Sequence, residues 1–365
     1  MTWKDDIFIE EKSLGEDTLL FYAQDIHRER TGVHARLSIA FNKTVLAWDI
    51  MNAERDAERV RLANRAHSRL SENVEITKEV LAHEFDTFCL HIWDEQLKRM
   101  AAEEMAGDPE YAGISFVLEP FIVQEGGTII FSPPGRGKSN IAIIMAVCVD
   151  HGLNHFWHTT KTKALLVNLE RSRRSVRWRL TCINEALGLD PKNTLLTINA
   201  RGKSIFEIQD RIKKDIKEHD VGLVIVDSMS RAGFGDLNEN LSVNRGMDAL
   251  NSWGVAWMAL AHTPRQDETH VFGSVLHDAA ADVMVQLMGQ HKEDGLLGVG
   301  LQITKANDIG PQPMSILALE FSQNGLTRVR KAKNGEFLEI EGQKKMSMED
   351  AIKEYLLSEG KATAT

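Results

Sequence analysis

Cysteine is scarce in this chain, and its scarcity excludes two kinds of stabilising element. The three cysteines, Cys89, Cys148 and Cys182, are scattered and stand mostly in apolar surroundings. Their spacing fits neither a disulfide framework nor a zinc site. We therefore expect free thiols and a reducing compartment, the cytoplasm.

Long hydrophobic runs are also absent. No uninterrupted apolar stretch among the 365 residues is long enough to span a bilayer. The first residues, MTWKDDIFIEEKSLGED, are acidic and contain no apolar signal-peptide region. The composition, 43% hydrophobic and 26% charged, is that of an ordinary soluble protein of roughly two domains. We expect no contact with a membrane.

Positive charge is in short supply, because 43 Lys and Arg stand against 53 Asp and Glu and leave a formal net charge of −10. A uniformly acidic surface repels nucleic acid. Any nucleic-acid contact must therefore come from local basic loops.

One stretch carries a strong chemical signal, Gly127 to Ile144, GTIIFSPPGRGKSNIAII. A short apolar strand over 128–131, a turn rich in Pro and Gly, Lys-Ser and a helix appear in the order of a phosphate-binding P-loop. Glycine lets the backbone turn its N–H groups towards phosphate oxygens, and the helix adds the positive end of its dipole. The residues predicted to surround the nucleotide are Ser132, Pro133, Pro134, Gly135, Arg136, Gly137, Lys138, Ser139 and Asn140.

Within this loop, Lys138 is predicted to reach the β- and γ-phosphates and Ser139 to ligate Mg²⁺. Ser132 occupies the position where the strict pattern has its first glycine. The stiff Pro133-Pro134 pair makes this substitution tolerable.

Three more apolar strands are predicted downstream, each followed by a polar residue at its tip. The strand over 164–168 precedes Glu170, which could orient or deprotonate the attacking water. The strand over 222–226 ends at Asp227, the pattern of a carboxylate beside Mg²⁺. The strand over 255–261 ends at His262, which could contact the γ-phosphate. The alternatives are a solvated Glu170 at a helix start and a His262 satisfied at a strand end.

Residues 1–112 are predicted to form a small α+β or helical module that packs or oligomerises. Strands are expected over 19–26 and 34–42, and helices over 49–70 and 76–105. Its histidines lack the carboxylate or cysteine needed to complete a local metal-ligand set. Residues 113–340 are predicted as the nucleotide-binding domain and 341–365 as a helical tail.

Several segments occur together in one order: SPPGRGKS, LVNLER, VIVDS, GDLNEN, AHTPR, DAAADV and TKAND. In this order the chain resembles the RecA-like AAA-type ATPases of phages and plasmids, in the branch of the RepA-type hexameric replicative helicases. The resemblance implies an α/β fold, with a RecA-like P-loop NTPase core and a mostly parallel sheet. It also implies ATP and Mg²⁺ as ligands, a homo-oligomeric ring and single-stranded DNA as partner.

Residue roles follow from the same resemblance. It implies Lys138, Glu170 and His262 as catalytic residues and Ser139 and Asp227 at the metal. Lys305 matches the position of a cationic finger that reaches a neighbouring subunit, although Asn307 stands where related helicases often carry a second cation. The loops over 228–245 and 263–273 would face a central channel, and their cations are the predicted DNA contacts: Arg231, Arg245 and Arg265.

Two other functions fit the same residues. The chain could be a helicase loader or recombination mediator that binds DNA without unwinding it. It could also be a regulatory ATPase that assembles with protein partners and binds no DNA, which the acidic net charge favours.

Overall fold

The structure, a computed structural model, describes residues 1–4, 6–71, 74–107, 113–235, 239–264, 270–272 and 280–342. The chain divides into two compact units, Met1–Glu110 and Tyr111–Thr365. Each unit has a hydrophobic core of its own. Among the described residues, no helix combines the length and apolar character that crossing a membrane requires.

The first unit is built on a five-stranded antiparallel sheet whose strands lie side by side in chain order. The strands are β1 (Thr2–Lys4), β2 (Ile7–Leu14), β3 (Asp17–Glu29), β4 (Gly32–Phe41) and β5 (Thr44–Asn52). Two helices follow, α1 (Asp56–His67) and α2 (Lys78–Arg99). Phe88 of α2 stacks on Phe8 and Phe21 of the sheet, at ring-centroid distances of 5.5 and 5.4 Å. Large buried aromatic side chains of this kind contribute much of a small core's stability.

The N-terminal region, predicted as α+β or helical, is a five-stranded antiparallel sheet followed by two helices. The predicted start of the helix expected over 49–70 is wrong. Thr44–Asn52 is strand β5, paired antiparallel with β4, and α1 begins only at Asp56. The charged residues that continue into α1 give the end of β5 a helical appearance in the sequence. The pairing with β4 decides the outcome, because it places Ala47 and Met51 inside the core.

The second unit contains a nine-stranded sheet in the order β10-β9-β11-β12-β8-β13-β14-β15-β16. The first six strands in this spatial order are parallel to one another. The last three, β14, β15 and β16, continue the sheet in antiparallel pairs. The parallel strands are β8 (Gly127–Ser132), β9 (Lys163–Asn168), β10 (Leu196–Asn199), β11 (Val221–Asp227), β12 (Ala256–His262) and β13 (Val283–His291). The antiparallel strands are β14 (Leu296–Ala306), β15 (Ser315–Ser322) and β16 (Gly325–Lys331). A separate short hairpin joins β6 (Phe116–Leu118) to β7 (Ile122–Val123).

Apolar clusters on both faces of this sheet explain why its strands are continuous hydrophobic runs. In β8, Ile129 and Phe131 belong to one cluster and Ile130 to the other. Among its described residues, the helices of this unit are α3 (Lys138–His151), α4 (Arg173–Ala186), α5 (Ile205–His219), α6 (Asn240–Asn251) and the short α7 (Leu338–Glu341). This is the mostly parallel α/β arrangement expected of a P-loop NTPase core.

Strands β14 and β15 pair antiparallel and extend the sheet beyond its parallel part. The predicted helical tail over 341–365 lies almost wholly outside the described residues, which end at Gly342.

Candidate active site

The parallel sheet brings four strand ends to one edge. Ser132 at the end of β8 is paired with His262 at the end of β12, and Asp227 at the end of β11 is paired with Asn168 at the end of β9. Glu170 follows β9 by two residues. The carboxyl ends of parallel strands are where α/β sheets place their ligands. The fold therefore gathers Glu170, Asp227 and His262 beside the predicted phosphate loop.

The phosphate loop depends on two glycines with positive φ, Gly135 at 84° and Gly137 at 98°. A side chain is strained in this region of backbone space, so the turn needs glycine. A Cβ on Gly137 would also lie only 3.2 Å from Leu297 and 3.3 Å from Val299. Helix α3 begins directly after Gly137, so its N-terminal N–H groups and dipole face the loop.

Lys138 is the most buried cation of the site, with 7% of its surface exposed. Its Nζ atom donates hydrogen bonds to Ser132 O, Ser132 Oγ and Pro133 O at 2.6, 2.9 and 2.9 Å. Burial lowers the pKa of Lys138 to about 8, although the negative charges of Asp227 and Glu170 act in the opposite direction. The Ser132 hydroxyl, where the strict motif has glycine, is thus an extra acceptor for the lysine.

Ser139 and Asp227 lie close enough for the hydroxyl to hydrogen-bond to the carboxylate. Burial raises the pKa of Asp227, which is 6% exposed, and the hydrogen bond from Ser139 partly opposes that shift. A hydroxyl and a carboxylate are the hard oxygen ligands that Mg²⁺ takes beside nucleotide phosphates. The donor set therefore fits Mg²⁺, held by these two residues.

Glu170 is held through its carboxylate. Ser228 Oγ donates a hydrogen bond to Glu170 Oε2 at 3.1 Å, and Ser228 Oγ lies 3.0 Å from Ser230 Oγ. Ser228 itself is 1% exposed. A carboxylate oriented in this way at the edge of the site suits a general base for water.

His262 is half-buried beside the same cluster. Burial, and then the positive charge of Lys138, lower the pKa of His262. The imidazole is therefore neutral at physiological pH, and it can donate or accept a hydrogen bond without adding charge.

Two arginines of this site were not among the residues predicted from the sequence. Arg179 of α4 donates from Nη1 to Asn140 Oδ1 at 3.2 Å, and burial followed by the charge of Arg171 lowers the pKa of Arg179. The Nε atom of Arg171 is buried, with no hydrogen-bond partner among the described residues. Both could donate to phosphate oxygens, the acceptors that arginine recognises best. The sequence feature that could have indicated them is the arginine-rich run ERSRRSVRWR after β9. The spacing within this run does not show which of its arginines face the site.

These residues line one cavity of about 430 Å³. Its phosphate end contains Gly135, Gly137, Lys138, Ser139, Asn140, Glu170, Arg171, Arg179, Asp227, Ser228 and His262. Its other end is formed by the antiparallel part of the sheet, through His291, Lys292, Leu297 and Phe321. Arg136 points away and joins the loop to β13, because Nη1 donates to Gly289 O at 2.7 Å. The apolar Leu297 and Phe321 suit a nucleotide base, which the sequence motif by itself did not locate.

Other predicted residues lie elsewhere. Lys305 is in β14, and its Nζ donates to Ala281 O at 3.0 Å, away from this cavity.

Arg231 lies on a single turn of 3₁₀ helix, Met229–Arg231. The expected loop over 228–245 is wrong in its last part, because Arg245 belongs to α6, where its guanidinium lies 4.8 Å from the Phe206 ring centroid. The apolar positions of α6 pack into the core and so extend the helix through Arg245. Arg265 lies outside the described residues.

Comparison with known proteins gives one result for this region. No curated protein matches the chain. Residues 94–268 match the family model described as AAA domain. This segment holds the phosphate loop, Glu170, Asp227 and His262, and the match supports a P-loop AAA-type ATPase domain that binds nucleotide, typically with Mg²⁺.

Proposed function

We propose that this chain is an ATP-hydrolysing motor that acts on single-stranded DNA as a homo-oligomeric ring, as a replicative helicase does. The observation that carries the proposal is the position of Arg231. It lies on the turn that directly follows Asp227 and Ser228, and it is exposed. A cation that contacts a DNA phosphate there would lie four residues from Asp227, the carboxylate that would hold Mg²⁺.

The hydrolytic step follows from the side chains of the cavity. Lys138, Arg171 and Arg179 would bind the phosphate oxygens, and Ser139 and Asp227 would hold Mg²⁺, which neutralises developing charge. Glu170 would take the proton of the attacking water. His262, neutral at physiological pH, would hydrogen-bond to the γ-phosphate region.

The DNA part of the proposal rests on local charge. The chain is acidic, with a net charge of −10, so contact must be made by clustered cations. Arg231, Arg245 and Arg265 are the predicted contacts. Single strands are held mainly through their phosphates, so binding should weaken steeply with salt.

The experiment measures ATP turnover and binding of single-stranded poly(dT) over a range of salt concentrations. The variant with all three arginines replaced by alanine should bind poly(dT) more weakly, with a salt slope that is less steep by roughly three units. A control variant, Arg328→Ala/Lys331→Ala, removes two exposed cations from β16. An unchanged DNA affinity in the triple variant would overturn the assignment of these residues.

Two other functions make different predictions. A loader or recombination mediator would bind single strands, and ATP would support no unwinding of a forked duplex. A regulatory ATPase that assembles with proteins is favoured by the acidic net charge. It would hydrolyse ATP with no response to poly(dT) at any salt concentration.

A further inference from the structure

A second cavity lies against Glu170, separate from the nucleotide cavity. Its volume is about 550 Å³, and its polar lining includes Arg201, Lys203, Ser230 and Arg231 as well as Glu170 and Glu207. We call it the basic cavity. Its cations come from the segment before α5 and from the turn after β11, two places that the sequence does not connect.

The three cations of the basic cavity are exposed. None of them forms an ion pair with another residue of the part of the chain that the structure describes. Glu207 forms no ion pair with them within 4 Å, although its charge acts on Lys203 at longer range. Its Oε2 accepts hydrogen bonds from Ser204 N and Ser204 Oγ at 2.7 and 2.9 Å as part of the N-terminal cap of α5. Converging cations of this kind suit a polyanion.

The two walls of the basic cavity are joined to each other and to the active site. Ile205 N donates to Ala232 O at 2.7 Å, which ties the start of α5 to the turn after β11. Arg231 N donates to Ser228 O at 3.0 Å, so the arginine and the serine belong to one hydrogen-bonded turn. Ser228 in turn contacts Glu170. A ligand that moves Arg231 therefore acts on a turn that touches the catalytic carboxylate.

The directions of these hydroxyl hydrogen bonds show how binding in the basic cavity could change the contacts of Glu170. Glu170 Oε2 can only accept when ionised, so the single proton of Ser228 Oγ is used in that hydrogen bond. The proton between Ser228 and Ser230, whose Oγ atoms lie 3.0 Å apart, must then come from Ser230. Each donated bond polarises the next, so Ser230 strengthens the hold of Ser228 on Glu170. An anion in the basic cavity that accepts the hydrogen bond of Ser230 in place of Ser228 would weaken the hydrogen bond from Ser228 to Glu170.

We propose that the basic cavity binds the phosphodiester backbone of single-stranded DNA, and that the chain Ser230–Ser228–Glu170 carries its occupancy to the catalytic carboxylate. This proposal rests on the DNA-dependent function proposed above, and it adds a binding site for DNA and an effect of DNA on the rate of hydrolysis. A DNA phosphate that accepts the hydrogen bond of Ser230 removes that bond from Ser228 Oγ, so Ser228 holds the Glu170 carboxylate less strongly. The carboxylate is then freer to accept the proton of the attacking water, and hydrolysis is stimulated. Arg201 and Lys203 bind the strand, and Ser230 is a positioning residue.

Two variants of the full chain separate binding from coupling. In Arg201→Ala/Lys203→Ala, the concentration of poly(dT) needed for half-maximal stimulation should rise by about tenfold, and the salt slope of binding should be less steep by about two units. In Ser230→Ala, turnover without DNA should rise and the ratio of stimulated to unstimulated turnover should fall towards one. Ser230→Thr keeps a hydroxyl and should restore the ratio. The control Arg328→Ala/Lys331→Ala has the same loss of charge and should match the unmodified chain.

The outcomes distinguish this inference from the proposed function. If the unmodified chain neither binds poly(dT) nor is stimulated by it, the proposed function fails and the inference fails with it. If the unmodified chain is stimulated but the Arg201/Lys203 variant matches the control, the basic cavity is not the DNA site. If Ser230→Ala keeps the unmodified ratio of stimulated to unstimulated turnover, or if its ratio equals that of Ser230→Thr, the serine hydrogen bonds do not couple DNA binding to Glu170. Equal stimulation by polyglutamate would show a site for acidic peptides and overturn the assignment to DNA.

Discussion

The buried ammonium of Lys138 should make nucleotide binding depend on pH in a range where few side chains titrate. Burial lowers its pKa from 10.5 to about 8. Asp227 and Glu170 offset the effect of burial on Lys138 only in part. The negative phosphates of a bound nucleotide would add to their effect and should raise the pKa of Lys138 towards its ordinary value. Binding of ATP should therefore take up a proton.

The size of the effect follows from the two pKa values. At pH 9 about one tenth of Lys138 is charged in the free protein and nearly all of it when phosphate is bound, so binding should take up about 0.9 proton. At pH 7 the uptake should be about 0.1 proton. Above pH 8 the affinity for ATP should fall by up to about tenfold per pH unit. In the free protein, the charged buried lysine costs about 3 kcal/mol below pH 8, and this cost disappears as the pH rises towards 10.5.

Calorimetry of Mg·ATP binding in buffers of different ionisation enthalpy measures this proton uptake directly. Lys138→Ala should bind ATP weakly, lose turnover and show no uptake at pH 9. Lys138→Arg keeps a positive charge throughout and is the matched control, with an affinity that stays flat across this range. An uptake below about 0.2 proton at pH 9 in the unmodified chain, or the same uptake in Lys138→Ala, would refute the reasoning.

Three further predictions concern turnover. Glu170→Gln should keep ATP binding and lower turnover by roughly 10²-fold or more, the scale of a lost general base; an equal loss of binding would make Glu170 structural. Arg179→Ala should lower turnover by about 10²-fold, the scale of one lost donor to developing charge, whereas the exposed Arg174→Ala should match the unmodified chain. If Lys305 acts on a neighbouring subunit, Lys305→Ala should bind ATP but hydrolyse it slowly, and mixing it with Lys138→Ala should restore part of the turnover; co-assembly without recovery would exclude that role.

Four strands of the nucleotide-binding unit could be predicted to within one or two residues. The expected strands over 128–131, 164–168, 222–226 and 255–261 correspond to β8, β9, β11 and β12. They are short apolar runs, buried on both faces and bounded by polar residues, so the local pattern and the tertiary environment agree. The prediction failed at β5, where a half-exposed strand runs into a charged helix and only pairing with β4 determines its conformation.

The sequence by itself determined the phosphate loop and the polar residues at the strand tips, because a turn with positive φ at Gly135 and Gly137 and a lysine after it form a local pattern. Only the tertiary structure decided that Arg179 reaches Asn140 across the cavity and that Leu297 closes its far end. These contacts join residues that lie far apart in the chain. The parallel sheet brings them together by aligning the carboxyl ends of separate strands at one edge, which no local pattern encodes.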